Sequence, residues 1–176
     1  MKKILVLLCL SVFAFSYSQN NEQVDFPKNE IKGNALFLVA GALEVTYERI
    51  LNEESGVGIS LFVSYDNDID TNFSLSPYYR FYFGKKPAAG FFVEGFGMLN
   101  SYSNDDYVYD SNFDESTIDG ENITDFALGF GLGAKWVTKK GFLFEINGGV
   151  GRNLFNSSDN DYEIVGRGGI TLGYRF

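Results

Sequence analysis

The chain has 176 residues, of which 45% are hydrophobic and 17% aromatic, with 20 glycines, one cysteine and no histidine. Its formal charge of −9 argues against nucleic acid as a partner, and the lack of imidazole removes the usual Ser–His base and metal ligand. Glycine weakens strands in water, so so much glycine beside so much aromatic surface is at odds with a water-soluble domain.

The chain opens on "MKKILVLLCLSVFAFSYSQ". Lys2 and Lys3 make a basic start, Ile4 to Phe15 a short apolar run, and "SYS" supplies small residues before a cut. Residues 1–18 read as a secretory signal peptide, too short to span a membrane as a helix. Cys9 lies inside the apolar run without small residues just before it, which speaks against a lipoprotein cysteine. Cleavage would remove it, so the exported chain has no disulfide. Residues 19–29 form a polar lead-in, and the remainder, 30–176, is one domain. No later stretch approaches the roughly 18 apolar residues of a spanning helix.

From residue 30 alternation dominates. Val57, Ile59, Leu61 and Val63 alternate with Gly58, Ser60 and Ser64, and Phe73, Leu75, Tyr79 and Phe81 with Ser74, Ser76, Arg80 and Tyr82. Phe126, Leu128, Phe130, Leu132, Ala134 and Trp136 alternate with Asp125, Ala127, Gly129, Gly131, Gly133 and Lys135. That is period-two behaviour, which a helix would mix on one face. Eight strands are expected, at 30–40, 42–51, 56–65, 72–83, 90–101, 123–137, 141–154 and 162–176. Most have the length of a tilted membrane strand. The face of the first is ambiguous, because Leu36 and Leu38 compete with Phe37 and Val39. Pro77 removes a ladder hydrogen bond, which predicts a bulge or bend in the fourth.

The connections alternate short and long. "NEES", "GKKPAAG" and "TKKG" are tight; "DNDIDTN", Tyr102 to Asn122 and "FNSSDND" are longer and polar. Short turns at one end and long loops at the other are the pattern of an all-β, antiparallel, up-and-down transmembrane barrel. A soluble barrel or sandwich would turn its apolar face inward and carry Thr, Lys or Glu outside, whereas here the opposite face is rich in glycine.

Counting back from Phe176, one face reads Tyr174, Leu172, Ile170 and Gly168. A terminal aromatic with apolar residues at that step resembles the C-terminal assembly signal of bacterial outer-membrane barrels. The whole exported chain resembles the small eight-stranded OmpA/OmpX-like barrels. It is most similar to the flavobacterial "outer membrane protein beta-barrel domain" group, on "ALEVTYERIL", "FFVEGFG" and "GGITLGYRF". The resemblance implies residence in the outer membrane among its lipids and lipopolysaccharide. It also implies that the barrel-assembly machinery is a partner during insertion. The group has no established common activity.

With apolar faces toward lipid, Glu44, Glu48, Arg80, Glu94, Lys135, Glu145, Arg167 and Arg175 point inward. A lone buried charge costs several kcal/mol, so these residues should pair. Around the turn at Gly84–Gly90, facing positions sum to 174, which sets Arg80 opposite Glu94. Around Lys139–Lys140 the parity that keeps Trp136 and Phe144 on one face gives 280 and sets Lys135 opposite Glu145. An eight-stranded interior is just wide enough for side chains, so the expectation is an ionic plug, with Phe96 and Met98 filling space left by Gly129, Gly131 and Gly133. Paired carboxylates can also do acid–base chemistry, but a structural network suits a narrow barrel better. "GFGLG" lies inside a strand and opens no helix, so it is no phosphate loop.

Acidic residues crowd the long loops: Asp66, Asp68 and Asp70, then Asp105 and Asp106 beside Tyr107 and Tyr109. They are a candidate cation or partner site, or simply a solvated surface. "DNDID" has oxygen ligands at alternate positions, but Thr71 stands where a calcium loop needs Gly and Pro77 where it needs Glu. The reading is a non-enzymatic barrel without cofactor or metal, structural or displaying its loops to an extracellular partner. The alternatives are a lipid- or ligand-binding barrel and a histidine-free lipid hydrolase.

Overall fold

A computed structural model of the chain describes residues 26–66, 69, 71–103, 106–109, 115–118, 122–155 and 163–176. The expected signal peptide and most of the lead-in lie outside them. The described strands are β1 (Asn29–Asn34), β2 (Ala42–Asn52), β3 (Ser55–Ser64), β4 (Thr71–Tyr82), β5 (Gly90–Ser103), β6 (Asp106–Tyr109), β7 (Glu115–Ile118), β8 (Asn122–Val137), β9 (Phe142–Asn153) and β10 (Ile164–Arg175). Eight of them close into an antiparallel barrel in the order β1-β10-β9-β8-β5-β4-β3-β2. Each neighbour in sequence is a neighbour in space, apart from the β6–β7 pair. That pair forms its own two-stranded sheet within the connection expected to be a long polar loop.

Closure rests on the short seam between β1 and β10, from Glu30↔Arg175 to Asn34↔Thr171. Phe176 extends it: its N–H donates to the Asn29 carbonyl at 2.8 Å, and Asn29 N–H to the Phe176 carbonyl at 3.0 Å. A closed sheet leaves no unpaired edge.

The first expected strand is wrong in its second half. Only Asn29–Asn34 is strand, and Ala35–Ala40 is a helix, α1. Asn34 caps it by accepting from the Leu36 N–H, and Gly41 ends it in the left-handed conformation at φ +99°, a region Gly tolerates best. Phe37 lies against Phe62, with ring centroids 5.1 Å apart. The helix therefore covers part of the long-loop end of the barrel.

Of the bulge or bend expected at Pro77, the bulge is absent. The β3–β4 register runs unbroken through Ile59↔Pro77. On the β5 side, pairing lapses between Leu75↔Leu99 and Tyr78↔Phe96, yet facing positions sum to 174 on both sides of the gap. The missing N–H interrupts the ladder without shifting it. The register shifts fall instead at Thr71/Phe73 and Ile50/Asn52.

Polarity is inverted relative to a water-soluble domain. Phe130, Leu132 and Ile164 are 70%, 55% and 70% exposed, while Glu30, Glu48 and Lys135 are wholly buried. Outward aromatics cluster near the short turns, where Trp136 meets Phe144, Phe142 meets Tyr174 and Phe83 meets Phe91.

The charged interior as candidate functional site

The network grows from strand register. Arg80 on β4 faces Glu94 on β5, and Arg80 Nε donates to Glu94 Oε2 at 2.6 Å. Arg80 Nη1 reaches across the lumen to Glu145 Oε2 at 2.8 Å and to Glu48 Oε2 at 3.1 Å. The guanidinium stacks on Tyr78 and Phe92, 4.4 and 4.2 Å from their ring centroids.

Glu48 is the hub. Its Oε2 accepts from Lys32 Nζ at 2.5 Å, from the Tyr78 hydroxyl at 2.9 Å and from Arg80. Its Oε1 accepts from Lys135 Nζ at 3.1 Å and from the Tyr82 hydroxyl. Several charge-assisted bonds onto one carboxylate offset its desolvation. The packing around it needs Gly56, because a Cβ there would lie 2.7 Å from Glu48 Oε1.

Lys135 does face Glu145 across β8 and β9, at the sum of 280. Yet that contact is long, at 3.9 Å, and Lys135 instead donates to Glu30 at 2.7 Å and to Glu48. Glu145 is held by Arg80 and, at 3.2 Å, by Lys32. Long side chains on adjacent strands both reach the barrel axis, where partners from the opposite wall compete. Register fixes which residues face each other, not which atoms bond.

Arg175 donates to Glu30 Oε1 through Nε at 2.8 Å, and to the Pro87 and Ala88 carbonyls at 2.8 and 2.7 Å. Ala88 N–H in turn donates to the Glu53 carbonyl at 2.6 Å. The turn between β4 and β5 is thus drawn under the lumen, and buried Ala88 packs with Ile50, Tyr82 and Phe92, against which Phe26 rests. The short-turn end has a floor.

Two members of the expected set stand apart. Glu44 is half-buried at the long-loop end and accepts from Asn34 Nδ2 at 2.6 Å and Ser60 Oγ at 2.5 Å. Arg167 Nη1 comes only within 3.6 Å of Glu94 Oε1. Glu30 and Lys32, both buried in the network, escaped the sequence reading, as did the Tyr78 hydroxyl on Glu48. Asp125, which alternation set on the face of Lys135, is buried and accepts from the Phe126 and Phe155 amides at 2.6 and 3.1 Å. The signal for the first two was the pattern of Glu30, Lys32 and Asn34 around Ile31.

Interior glycines seat aromatic rings. A Cβ at Gly133 would strike Phe92 at 2.6 Å, and one at Gly149 would meet Phe96 at 3.2 Å. Of the pair expected over Gly129, Gly131 and Gly133, Phe96 lies against Gly129, and Met98 packs with Tyr78, Phe96 and Ala127. Of the C-terminal stretch, Ile170, Leu172, Tyr174 and Phe176 point outward and Gly168 is half-buried. In the loops, the Asp66 N–H bonds to the Gly41 carbonyl at 3.1 Å. Asp68, Asp70 and Asp105 lie outside the described residues; Asp106, Tyr107 and Tyr109 are described in backbone alone, along β6.

The family described as "Protein of unknown function (DUF3575)" matches residues 4–171. The chain belongs to that family. The crystal structure of the N-terminal β-barrel domain of Pseudomonas aeruginosa OprF is similar in fold, with a TM-score of 0.56 at 16% identity, over 85% of this chain and 96% of that one. No curated protein matches the sequence. The structural likeness shows the eight-stranded barrel fold, and neither comparison singles out the flavobacterial group.

Proposed function

We propose that the protein is a non-enzymatic outer-membrane barrel, closed to solute by its ion network, with the long acidic loops on the cell surface. The inverted polarity carries this reading: apolar side chains girdle the outside while Glu48, Arg80 and Lys135 are buried within. Aromatics near the short turns suit a membrane–water interface. Residues 1–18 would direct export, and the face ending in Tyr174 and Phe176 would engage the assembly machinery. The acidic loops would meet lipopolysaccharide through divalent cations, or an extracellular partner. The chain has no histidine, which weighs against a hydrolase.

The test is conductance. The folded protein in planar bilayers should pass no large steady current, because the lumen at Glu48 is filled and the turn at Ala88 lies beneath it. An open-channel current would overturn the plug. Lipid A mass spectra with and without the protein should be identical; a changed acylation pattern would overturn the non-enzymatic reading.

A further inference from the structure

Above the ion network, at the long-loop end, the described residues do not fill the interior. A cavity of about 250 Å³ lies among Phe37, Phe62, Met98 and Val165 on its apolar side and Ser76 and Asn100 on its polar side. At roughly 30 Å³ per water-sized group, it holds about eight non-hydrogen atoms. It reaches Ile69 and Thr71 at the rim.

Arg167 forms part of its wall. The side chain is only 5% exposed, yet Nε and Nη1 are buried without a hydrogen-bond partner among the described residues. A buried donor left unmade is costly. The guanidinium is held against Tyr78, 4.6 Å from the ring centroid, and Phe96, at 5.6 Å. Its one acidic neighbour within 4 Å among the described residues is Glu94, whose other oxygen is already engaged by Arg80. The interior's two other arginines are satisfied through several bonds each. A fixed, under-satisfied guanidinium beside an apolar hollow is the arrangement that takes a carboxylate with a short hydrocarbon body.

We propose that this cavity binds a small amphiphilic monocarboxylate, with Arg167 as the anchor of its carboxylate. Glu44 also lines the cavity and bonds to Asn34 and Ser60. Its negative charge disfavours a second charge on the ligand, so a monoanion is preferred to phosphate. The apolar wall accepts the hydrocarbon body, and the floor of the ion network bounds its length. The site is independent of the plug: it lies above it and needs no open path through the barrel.

The experiment uses the whole exported chain folded in a non-ionic detergent, with 4-methylpentanoate as probe. Its neutral amide and inorganic phosphate are the comparisons, and binding is followed by the arginine Nε–H resonances. The acid should bind saturably, and the amide at least about tenfold more weakly. Arg167→Gln should remove the difference between acid and amide, and Ser76→Leu, which narrows the cavity, should weaken the acid. No saturable binding, equal binding of acid and amide, tighter binding of phosphate, or an acid preference that survives Arg167→Gln would each overturn the proposal. Where Arg167→Gln does not fold, the acid–amide comparison on the unaltered barrel decides it. Failure here leaves the plugged barrel standing, since conductance tests that separately.

Discussion

Arg80 and Arg167 both point into the barrel and both approach Glu94, but only one is locked. Arg80 bonds to three carboxylates and lies between Tyr78 and Phe92. Arg167 lies against Tyr78 and Phe96 with two nitrogens unmatched among the described residues. The difference follows from their neighbours. Near the short turns seven of the eight barrel strands, all but β3, point long polar side chains at the axis: Glu30, Lys32, Glu48, Arg80, Glu94, Lys135, Glu145 and Arg175. Near the loops the inward residues are shorter, Ser74, Ser76 and Asn100 among them, and cannot reach the centre. One half of the lumen is solid and the other hollow, within one closed sheet.

The comparison breaks hardest at Glu48. Glu48→Gln removes the charge that Lys32, Arg80 and Lys135 share and turns an amide N–H₂ toward cations. Breaking a buried ionic group in this way costs about 3–5 kcal/mol. Urea unfolding in detergent, followed by the heat-dependent gel shift, should show a much lower midpoint; an unchanged midpoint would mean the solid half owes little to its ions. A smaller effect is expected at Gly56→Ala. The added methyl would sit 2.7 Å from Glu48 Oε1, and displacing the hub should cost about 1–3 kcal/mol. Gly148→Ala is the matched control, since a Cβ there meets nothing within 4 Å, and it should leave the midpoint nearly unchanged.

Much of this was legible in the sequence, for a physical reason. Side chains alternate strictly across a strand, so the Thr124–Trp136 stretch declares its two faces, and a tight turn then fixes the register of its hairpin. That is enough to set Arg80 opposite Glu94. It is not enough to choose bonds at the barrel axis, where Lys135 prefers Glu30 and Glu48 to the Glu145 it faces. The first strand failed differently. "NALFLVAG" carries a helix cap in Asn34 and a helix stop in Gly41, but an apolar run in a chain of strands reads as one more strand. Extending the strand through it hid the face that Ile31 shows to the outside, and with it Glu30 and Lys32. Alternation put Asp125 on the inward face but not its bonds to the Phe126 and Phe155 amides, because which amides a side chain reaches is a matter of tertiary geometry.

The finest test of the two halves is Arg167→Gln, whose effect on stability should be the smallest. The residue's contact with Glu94 is 3.6 Å long, and Glu94 keeps Arg80 at 2.6 Å when Arg167 is gone. The substitution forfeits the stacking on Tyr78 and Phe96 but also removes a buried cation whose donors are poorly matched. These effects oppose each other, so the urea midpoint should move by less than about 1 kcal/mol in equivalent stability. Arg80→Gln in the same assay strips a donor from Glu48, Glu94 and Glu145 together and should cost several times more. Equal losses from the two variants would mean that Glu94 divides itself evenly between them, and that the hollow half is held as tightly as the solid one.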